Sequence, residues 1–141
     1  MSIIDYLRRE EGESATVYQD SLSLWTIGVG RLVDGRKLGA GLTPDEIAYL
    51  LNNDVKAKTD AVLKALPWVA KLPEVRQAAL IGMAFQMGVG GLLGFKGLLS
   101  AAQAGLWQTA AAHALDSTWA KQTPARAGRV AKMLITNQWQ T

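Results

Sequence analysis

An uncharged stretch from Ala78 to Phe95 limits the folds open to this chain more than any other feature of the sequence. Its length approaches the roughly 18 residues of a membrane-spanning helix, so it must be buried in a protein core or in a bilayer. Gln86 interrupts the apolar run, and so do five glycines at positions 82, 88, 90, 91 and 94. This composition favours a buried central helix followed by a glycine-rich turn. The sequence therefore predicts a chain that does not span a membrane.

Helical patterns also flank this stretch. Thr43-Pro44-Asp45-Glu46 combines a capping hydroxyl, a first-turn proline and an acidic residue, which together start a helix. An apolar stripe follows and continues to a helix end before Pro67. Beyond Pro73 the pattern predicts helices over 74–87, 92–104, 107–115 and 126–136.

The N-terminal part of the chain follows a different pattern. Ser2 and Asp5 form a capping-box-like start, and the helix that they begin should end near Glu11-Gly12. From Thr16 to about Leu38, short β-prone segments alternate with turn signals, which is typical of a small antiparallel sheet.

These patterns predict the α+β fold class in a single domain over residues 1–141. We expect a β-containing N-terminal lobe at about 12–54 and a linking helix at about 44–66. A helical C-terminal lobe at about 67–141 should include the first helix of the chain.

Composition removes most kinds of catalytic centre. The chain has no cysteine and one histidine, His113, so thiolate metal sites, the usual zinc sites and histidine-based nucleophiles have almost no residues to use. We therefore expect no metal and no cofactor, and carboxylates remain for acid–base chemistry.

Charge is unevenly distributed along the chain. Residues 1–54 carry a net charge of −4, and residues 55–106 and 107–141 carry +4 and +3. The basic part could face an anionic polymer, although solubility alone would also explain a modest excess.

Three polar residues near the start form the candidate catalytic group. Glu11, Asp20 and Thr26 are separated by nine and six residues across the expected junction of helix and hairpin. Hydrolysis of a glycosidic bond requires one carboxylic acid to protonate the departing oxygen and a second carboxylate to orient or deprotonate water. Taken singly, each residue has an ordinary structural explanation: a helix end for Glu11, a turn for Asp20 and a strand for Thr26.

The chain resembles a known family, the bacteriophage lysozymes of the T-even type, which form glycoside hydrolase family twenty-four. The resemblance extends over nearly the whole chain and keeps the family's spacing of catalytic Glu, Asp and Thr. The motifs that carry it are Leu7-Arg8, Glu11-Gly12, Tyr18-Gln19-Asp20, Thr26-Ile27-Gly28-Val29-Gly30, Asn53-Asp54-Val55, Ala78-Ala79-Leu80-Ile81, Phe85-Gln86-Met87-Gly88, Gly94-Phe95, Trp119, Gln122-Thr123-Pro124, Arg126-Ala127 and Arg129-Val130.

This resemblance implies a lysozyme-like fold and a muramidase that hydrolyses the β-1,4 bond between N-acetylmuramic acid and N-acetylglucosamine in peptidoglycan. Glu11 matches the family's general acid, and Asp20 and Thr26 match the pair that activates water for an inverting displacement. Four positions match residues that contact the substrate, line the cleft or approach the catalytic Glu: Leu32, Phe85, Gln86 and Arg126.

Some positions depart from the family pattern. Leu98 and His113 replace two polar residues at the far end of the cleft, so those sugar or peptide contacts are not carried over. Arg31 replaces a histidine that pairs with an aspartate matching Asp54 here. We therefore expect a structural ion pair between Arg31 and Asp54, which would fail only when Asp54 is protonated.

Two other functions remain open at this point. A lytic transglycosylase needs the acid but no hydrolytic water, and Asp20 and Thr26 favour hydrolysis over it. A non-catalytic module could use the basic C-terminal part to bind the cell wall or a nucleic acid. No recognised nucleic-acid-binding motif is present, so we expect no nucleic-acid partner.

The first residues, Ser2 to Arg9, have helical periodicity and charges where a signal peptide would be apolar. We therefore expect the chain to stay in the host cytoplasm until lysis and to act as a monomer on the wall. It would then depend on a separate holin to reach the peptidoglycan.

Overall fold

The computed structural model describes residues 2–140, with the side chain of Tyr6 excepted. By its internal contacts the chain divides into two compact units, Met1–Leu51 and Asn52–Thr141. The first unit contains helix α1 (Ile3–Glu11), strands β1 (Ser14–Gln19), β2 (Trp25–Gly28) and β3 (Arg31–Leu32), and the start of helix α2 (Pro44–Ala65).

Helix α1 begins and ends where the sequence predicts. The hydroxyl of Ser2 accepts a hydrogen bond from the N–H of Asp5 at 3.2 Å, and the carboxylate of Asp5 accepts one from the N–H of Ser2 at 3.0 Å. Gly12 stops the helix with a φ of 74°, a conformation that glycine adopts without a Cβ penalty. This stop fixes Glu11 as the last residue of the helix.

The three strands form an antiparallel sheet in the order β1-β2-β3. Thr26, in the central strand, pairs with Tyr18 on one side and Leu32 on the other. The register between β1 and β2 shifts between Ser14 and Tyr18, so the hairpin contains an irregularity near its open end.

Helix α2 starts with the expected reciprocal cap. The N–H of Thr43 donates to Oε2 of Glu46 at 2.9 Å, and the N–H of Glu46 donates to the Thr43 hydroxyl at 3.3 Å. The helix ends at Ala65, two residues before Pro67.

The second unit is helical. After a 3₁₀ turn at Pro67–Lys71 come five helices: α3 (Glu74–Leu93), α4 (Lys96–Gln103), α5 (Trp107–Leu115), α6 (Thr118–Gln122) and α7 (Pro124–Thr136). Their shared core is apolar, and its largest fully buried side chains are Val62, Val69, Leu80, Met83, Leu92, Leu98 and Leu134.

The uncharged stretch contributes to this core. Leu80, Met83 and Leu92 are completely buried in it, and Gly88 bends the helix with a φ of 79°. Within residues 2–140 no single helix is long and apolar enough to cross a membrane. Helices α3 and α4 meet that criterion only as a pair, and they are bent by 100°.

The predicted α+β fold class is confirmed, with a three-stranded antiparallel sheet followed by a helical C-terminal part. Several details of the helical part differ from prediction, among them the start of α7 at Pro124 instead of residue 126. The helix expected over 92–104 occupies 96–103, because α3 continues past the Gly88 bend, and α6 was not predicted. Helix α1 falls in the first unit by its contacts, and its grouping with the C-terminal helices stays a prediction.

Candidate active site

Glu11 lies against a glycine in the turn between β2 and β3. A methyl group added to the Cα of Gly30 would lie 3.0 Å from Oε2 of Glu11 and 3.4 Å from its carboxyl carbon. Gly30 has a φ of +69°, in the left-handed region that favours glycine. Both the backbone conformation and the absence of a side chain at Gly30 therefore allow the carboxylate to occupy this position. The contact joins the end of α1 to the turn between β2 and β3.

Asp20 begins the turn between β1 and β2. Its Oδ1 accepts hydrogen bonds from the N–H groups of Leu22 and Leu24, at 2.8 and 2.9 Å. The main chain closes the same turn, since the N–H of Ser23 donates to the carbonyl of Asp20 at 2.9 Å. In the described part of the chain no hydrogen bond uses Oδ2. One carboxylate oxygen therefore fixes the side chain, and the other is available to a ligand or a water molecule.

Thr26 is buried, with 4 % of its surface exposed. Its Oγ1 donates to the carbonyl of Leu24 at 3.0 Å, so the hydroxyl proton is used within the protein. The lone pairs of the same oxygen can still accept a hydrogen bond. A water molecule held between Thr26 and a carboxylate would donate its protons to both of them.

The two carboxylates lie near opposite ends of β2. Asp20 is in the turn that precedes the strand, Glu11 contacts Gly30 in the turn that follows it, and Thr26 lies within the strand. All three residues belong to the first unit. The sheet therefore brings the three candidate residues into one small part of the fold, with Glu11 at one end of β2 and Asp20 at the other.

Arg31 makes a two-point ion pair with Glu46. Nη1 and Nη2 each donate to one carboxylate oxygen of Glu46 at 2.7 Å, and Nη1 also donates to the carbonyl of Gly41 at 3.2 Å. The prediction that Arg31 pairs with Asp54 is therefore corrected. Glu46 is held in the first turn of α2 by Thr43, whereas Asp54 lies about 12 Å further along the helix.

We expect Glu46→Gln to lower the melting temperature at neutral pH. The hydrogen bonds from Arg31, aided by the N–H of Thr43, lower the pKa of Glu46 from its usual value. A lowered pKa in the folded state stabilises the fold above the ordinary carboxyl pKa, and this contribution is lost as the pH falls through the lowered value. Thermal unfolding from about pH 7 to about pH 2 should show the difference shrinking towards zero.

Asp60→Asn is the matched control on the same helix. It removes the carboxylate of an exposed pair in which Nζ of Lys56 lies 2.8 Å from Oδ2 of Asp60, and it should change the melting temperature less. If the melting temperature of Glu46→Gln stayed below that of the wild type by the same amount at every pH, the stabilising ion pair between Arg31 and Glu46 would be contradicted.

Sequence reasoning did not find the most buried charged side chain, Asp34. It is 2 % exposed, and its carboxylate accepts hydrogen bonds from Arg36 and from the N–H of Trp25. The guanidinium of Arg36 holds the pKa of Asp34 well below its usual range, so the carboxylate stays ionised. The Asp34-Gly35 turn signal was visible in the sequence, but the burial of the carboxylate was not.

The predicted substrate-contact residues are distributed over both units. Leu32 is opposite Thr26 on β3. In the second unit, exposed Phe85 and Gln86 are adjacent on α3, and Oε1 of Gln86 accepts a hydrogen bond from the indole N–H of Trp119 at 3.0 Å. These residues stay predictions as substrate contacts.

Arg126, on α7, donates from Nη2 to the carbonyl of Gly82 at 3.0 Å. This bond fixes the guanidinium on α3, within the second unit. Its approach to the catalytic Glu stays a prediction.

The two positions that depart from the family pattern have different surroundings. Leu98 is fully buried in the helical core, whereas His113 is exposed and packs on Gly97, where an added methyl would lie 2.7 Å from the imidazole. Both border an open cavity of about 400 Å³, lined by Gly91, Gly94, Phe95, Lys96, Gly97, Leu98, His113, Asp116 and Ser117. Within residues 2–140 no group of three or more His, Cys, Asp or Glu side chains could hold a metal ion.

Comparison with known proteins identifies the family. The model of the family described as phage lysozyme matches residues 8–138. This chain belongs to the phage lysozyme family. It is accordingly a glycoside hydrolase of the lysozyme type, a class that degrades peptidoglycan.

Curated relatives include proteins of very different length. The chain is 31 % identical to a probable T4-type lysozyme of Dictyostelium discoideum, over 96 % of this chain and 94 % of that protein. It is 33 % identical to the pre-baseplate central spike protein Gp5 of Enterobacteria phage T4, again over 96 % of this chain but 28 % of that protein. The endolysin of Salmonella phage P22 is 40 % identical over 42 % of this chain and 43 % of the endolysin. The chain thus spans nearly all of one relative and about a quarter of another.

Proposed function

We propose that the chain hydrolyses the β-1,4 bond between N-acetylmuramic acid and N-acetylglucosamine with inversion at the anomeric carbon. Glu11 donates a proton to the leaving oxygen. Asp20 and Thr26 hold the water molecule, and Asp20 takes its proton as the water attacks from the opposite face of the sugar.

The order of the three side chains along β2 is the observation that carries this proposal. A retaining enzyme needs its second carboxylate close enough to attack the sugar, whereas an inverting enzyme needs space for a water molecule. Asp20 lies in the turn before the strand and Glu11 contacts Gly30 in the turn after it. Thr26 lies within the strand, between Asp20 and Gly30 in sequence, with its hydroxyl lone pairs available. This arrangement suits water as the nucleophile.

Leu32, Phe85 and Gln86 would contact the bound glycan in this proposal. Arg126 would approach Glu11 and stabilise the carboxylate that forms after proton donation. The hydrogen bond from Arg126 to the Gly82 carbonyl supports a fixed guanidinium rather than a freely moving one.

Analysis of the released sugars tests the reaction. Purified peptidoglycan treated with the chain should yield fragments with free reducing ends, detected by mass spectrometry. Products with 1,6-anhydro ends would instead establish a lytic transglycosylase, and wall binding without released sugar would establish a non-catalytic module. Proton NMR at early times should show the α-anomer at the new reducing end, and the β-anomer would contradict inversion.

In its biological setting, we propose host cell lysis by a monomer that accumulates in the cytoplasm and reaches the wall through a membrane lesion made by a separate holin. Expression inside a bacterial host should leave the cells intact until a holin is co-expressed. The match to the T4 spike protein favours a second setting, a lysozyme domain carried by a phage tail component. Cell lysis without any membrane lesion would contradict the holin requirement.

A further inference from the structure

Trp25 exposes its indole on the sheet. It is 45 % exposed, whereas the next residue, Thr26, is 4 % exposed. Successive side chains of a strand point to opposite faces, so the indole lies on the face opposite the Thr26 hydroxyl. Gln19 is the cross-strand partner of Trp25, which places its amide beside the ring on the same face.

The main chain of Trp25 is fixed from both sides. Its N–H donates to Oδ2 of Asp34 at 3.1 Å, and its carbonyl accepts a hydrogen bond from the N–H of Val33 at 2.9 Å. Asp34 is almost completely buried. A buried carboxylate costs free energy unless it is fully hydrogen-bonded. The residues that donate hydrogen bonds to Asp34, Trp25 and Arg36, have exposed side chains.

Arg36 is the second exposed residue that Asp34 holds. Its Nε donates to Oδ1 at 2.8 Å and its Nη2 donates to Oδ2 at 2.5 Å, while Nη2 also reaches the carbonyl of Ser23 at 3.2 Å. The Arg36 side chain is nevertheless 68 % exposed. Within the described residues no hydrogen bond uses Nη1, so this edge of the guanidinium can bind a ligand.

Asp34 therefore connects the main chain of Trp25 and the side chain of Arg36 through one hydrogen-bond network. The network fixes the strand position from which the indole projects and holds the guanidinium directly, which lowers the entropy cost of binding. Trp25, Arg36 and Asp34 take no part in the proposed hydrolysis.

The ligand chemistry follows from the ring, the cation and the amide. An indole face stacks on the C–H face of a pyranose, an amide hydrogen-bonds to hydroxyl and acetamido groups, and a guanidinium pairs with a carboxylate. Arg36 and Lys37 supply two adjacent positive charges beside the sheet. An acidic amino-sugar polymer fits these groups better than a neutral one.

We propose that Trp25, Gln19 and Arg36 form a second glycan-binding surface, on the sheet face opposite Thr26. It binds a peptidoglycan strand through its sugar rings and peptide carboxylates and holds the enzyme on the insoluble wall. This proposal rests on the proposed muramidase function, because peptidoglycan is then the acidic glycan that the chain meets.

Binding to insoluble walls tests the surface without catalysis. In a Glu11→Gln background, which leaves the wall intact, Trp25→Ala should weaken co-sedimentation with peptidoglycan about five- to tenfold. Trp139→Ala is the matched control, because Trp139 is 59 % exposed and lies in the second unit, and it should change binding by less than about twofold. Circular dichroism should show that each variant is folded.

A second measurement separates this surface from the catalytic one. With Glu11 restored, Trp25→Ala should hydrolyse a short soluble peptidoglycan fragment at the wild-type rate and clear insoluble walls more slowly. Unchanged co-sedimentation of Trp25→Ala would overturn the proposal, and so would an equal loss of activity on the soluble fragment, since Trp25 would then contact the cleaved substrate. Failure of the wild-type chain to release sugars would overturn the proposed function instead. The co-sedimentation experiment would still test the glycan-binding surface, because it does not depend on catalysis.

Discussion

Glu11→Gln should reduce the rate of wall hydrolysis by roughly 10²- to 10⁴-fold, the range that general acid catalysis contributes. Glutamine keeps the size of the side chain and its contact with Gly30, but it has no proton to give to the leaving oxygen. The fall should appear in kcat rather than in substrate binding, because the proton is transferred only in the transition state. The turbidity of purified walls measures the rate of wall hydrolysis, and kinetics on a soluble fragment separate kcat from substrate binding.

Glu10→Gln is the matched control, because it makes the same change one residue earlier on α1. The Glu10 carboxylate is exposed and lies 3.5 Å from Nη2 of Arg9 at the surface, so its removal should leave the rate unchanged within about twofold. Equal clearing by Glu11→Gln and the wild type would exclude Glu11 as the acid. Equal losses in both variants would indicate an effect of net charge on wall binding.

The sequence predicts those parts of the fold that local chemistry determines. The Ser2–Asp5 box, the Gly12 stop and the Thr43–Glu46 box each use residues within a few positions of one another, and all three are present. The placement of the candidate catalytic residues follows from the same local order, because a helix stop and two hairpin turns are enough to place Glu11, Asp20 and Thr26 in one small unit.

Pairings between distant residues were harder to predict. The resemblance led to Asp54 as the partner of Arg31, but the capping box of α2 holds the Glu46 carboxylate where β3 begins. A match to the family pattern does not reveal which carboxylate of α2, that of Glu46 or that of Asp54, lies nearer to Arg31. Asp34 was missed for a related reason, because nothing in an Asp-Gly turn signal shows that the carboxylate is buried under Trp25 and Arg36.

Gly30→Ala should lower activity by roughly ten- to a hundredfold through displacement of the Glu11 carboxylate. The added methyl would lie 3.0 Å from Oε2, which is closer than an ordinary van der Waals contact, so the carboxylate must move by a few tenths of an ångström. Because Glu11 lies at the end of α1 with a flexible side chain, moving it costs little stability. The main loss is therefore in the alignment of the acid with the leaving oxygen. Initial rates on a soluble peptidoglycan fragment measure it.

Gly28→Ala separates this contact from backbone strain. Gly28, the last residue of β2, has a φ of +67°, close to the +69° of Gly30 in the turn that follows, but a methyl there would meet no atom within 4 Å. Both variants should lose about 1–2 kcal/mol of unfolding free energy for a left-handed alanine, whereas only Gly30→Ala should lose most of its activity. A Glu11→Gln, Gly30→Ala double variant should be no slower than Glu11→Gln alone, because the acid that the methyl displaces is already absent. Equal activity losses in the two alanine variants would show that the turn, and not its contact with Glu11, sets the rate.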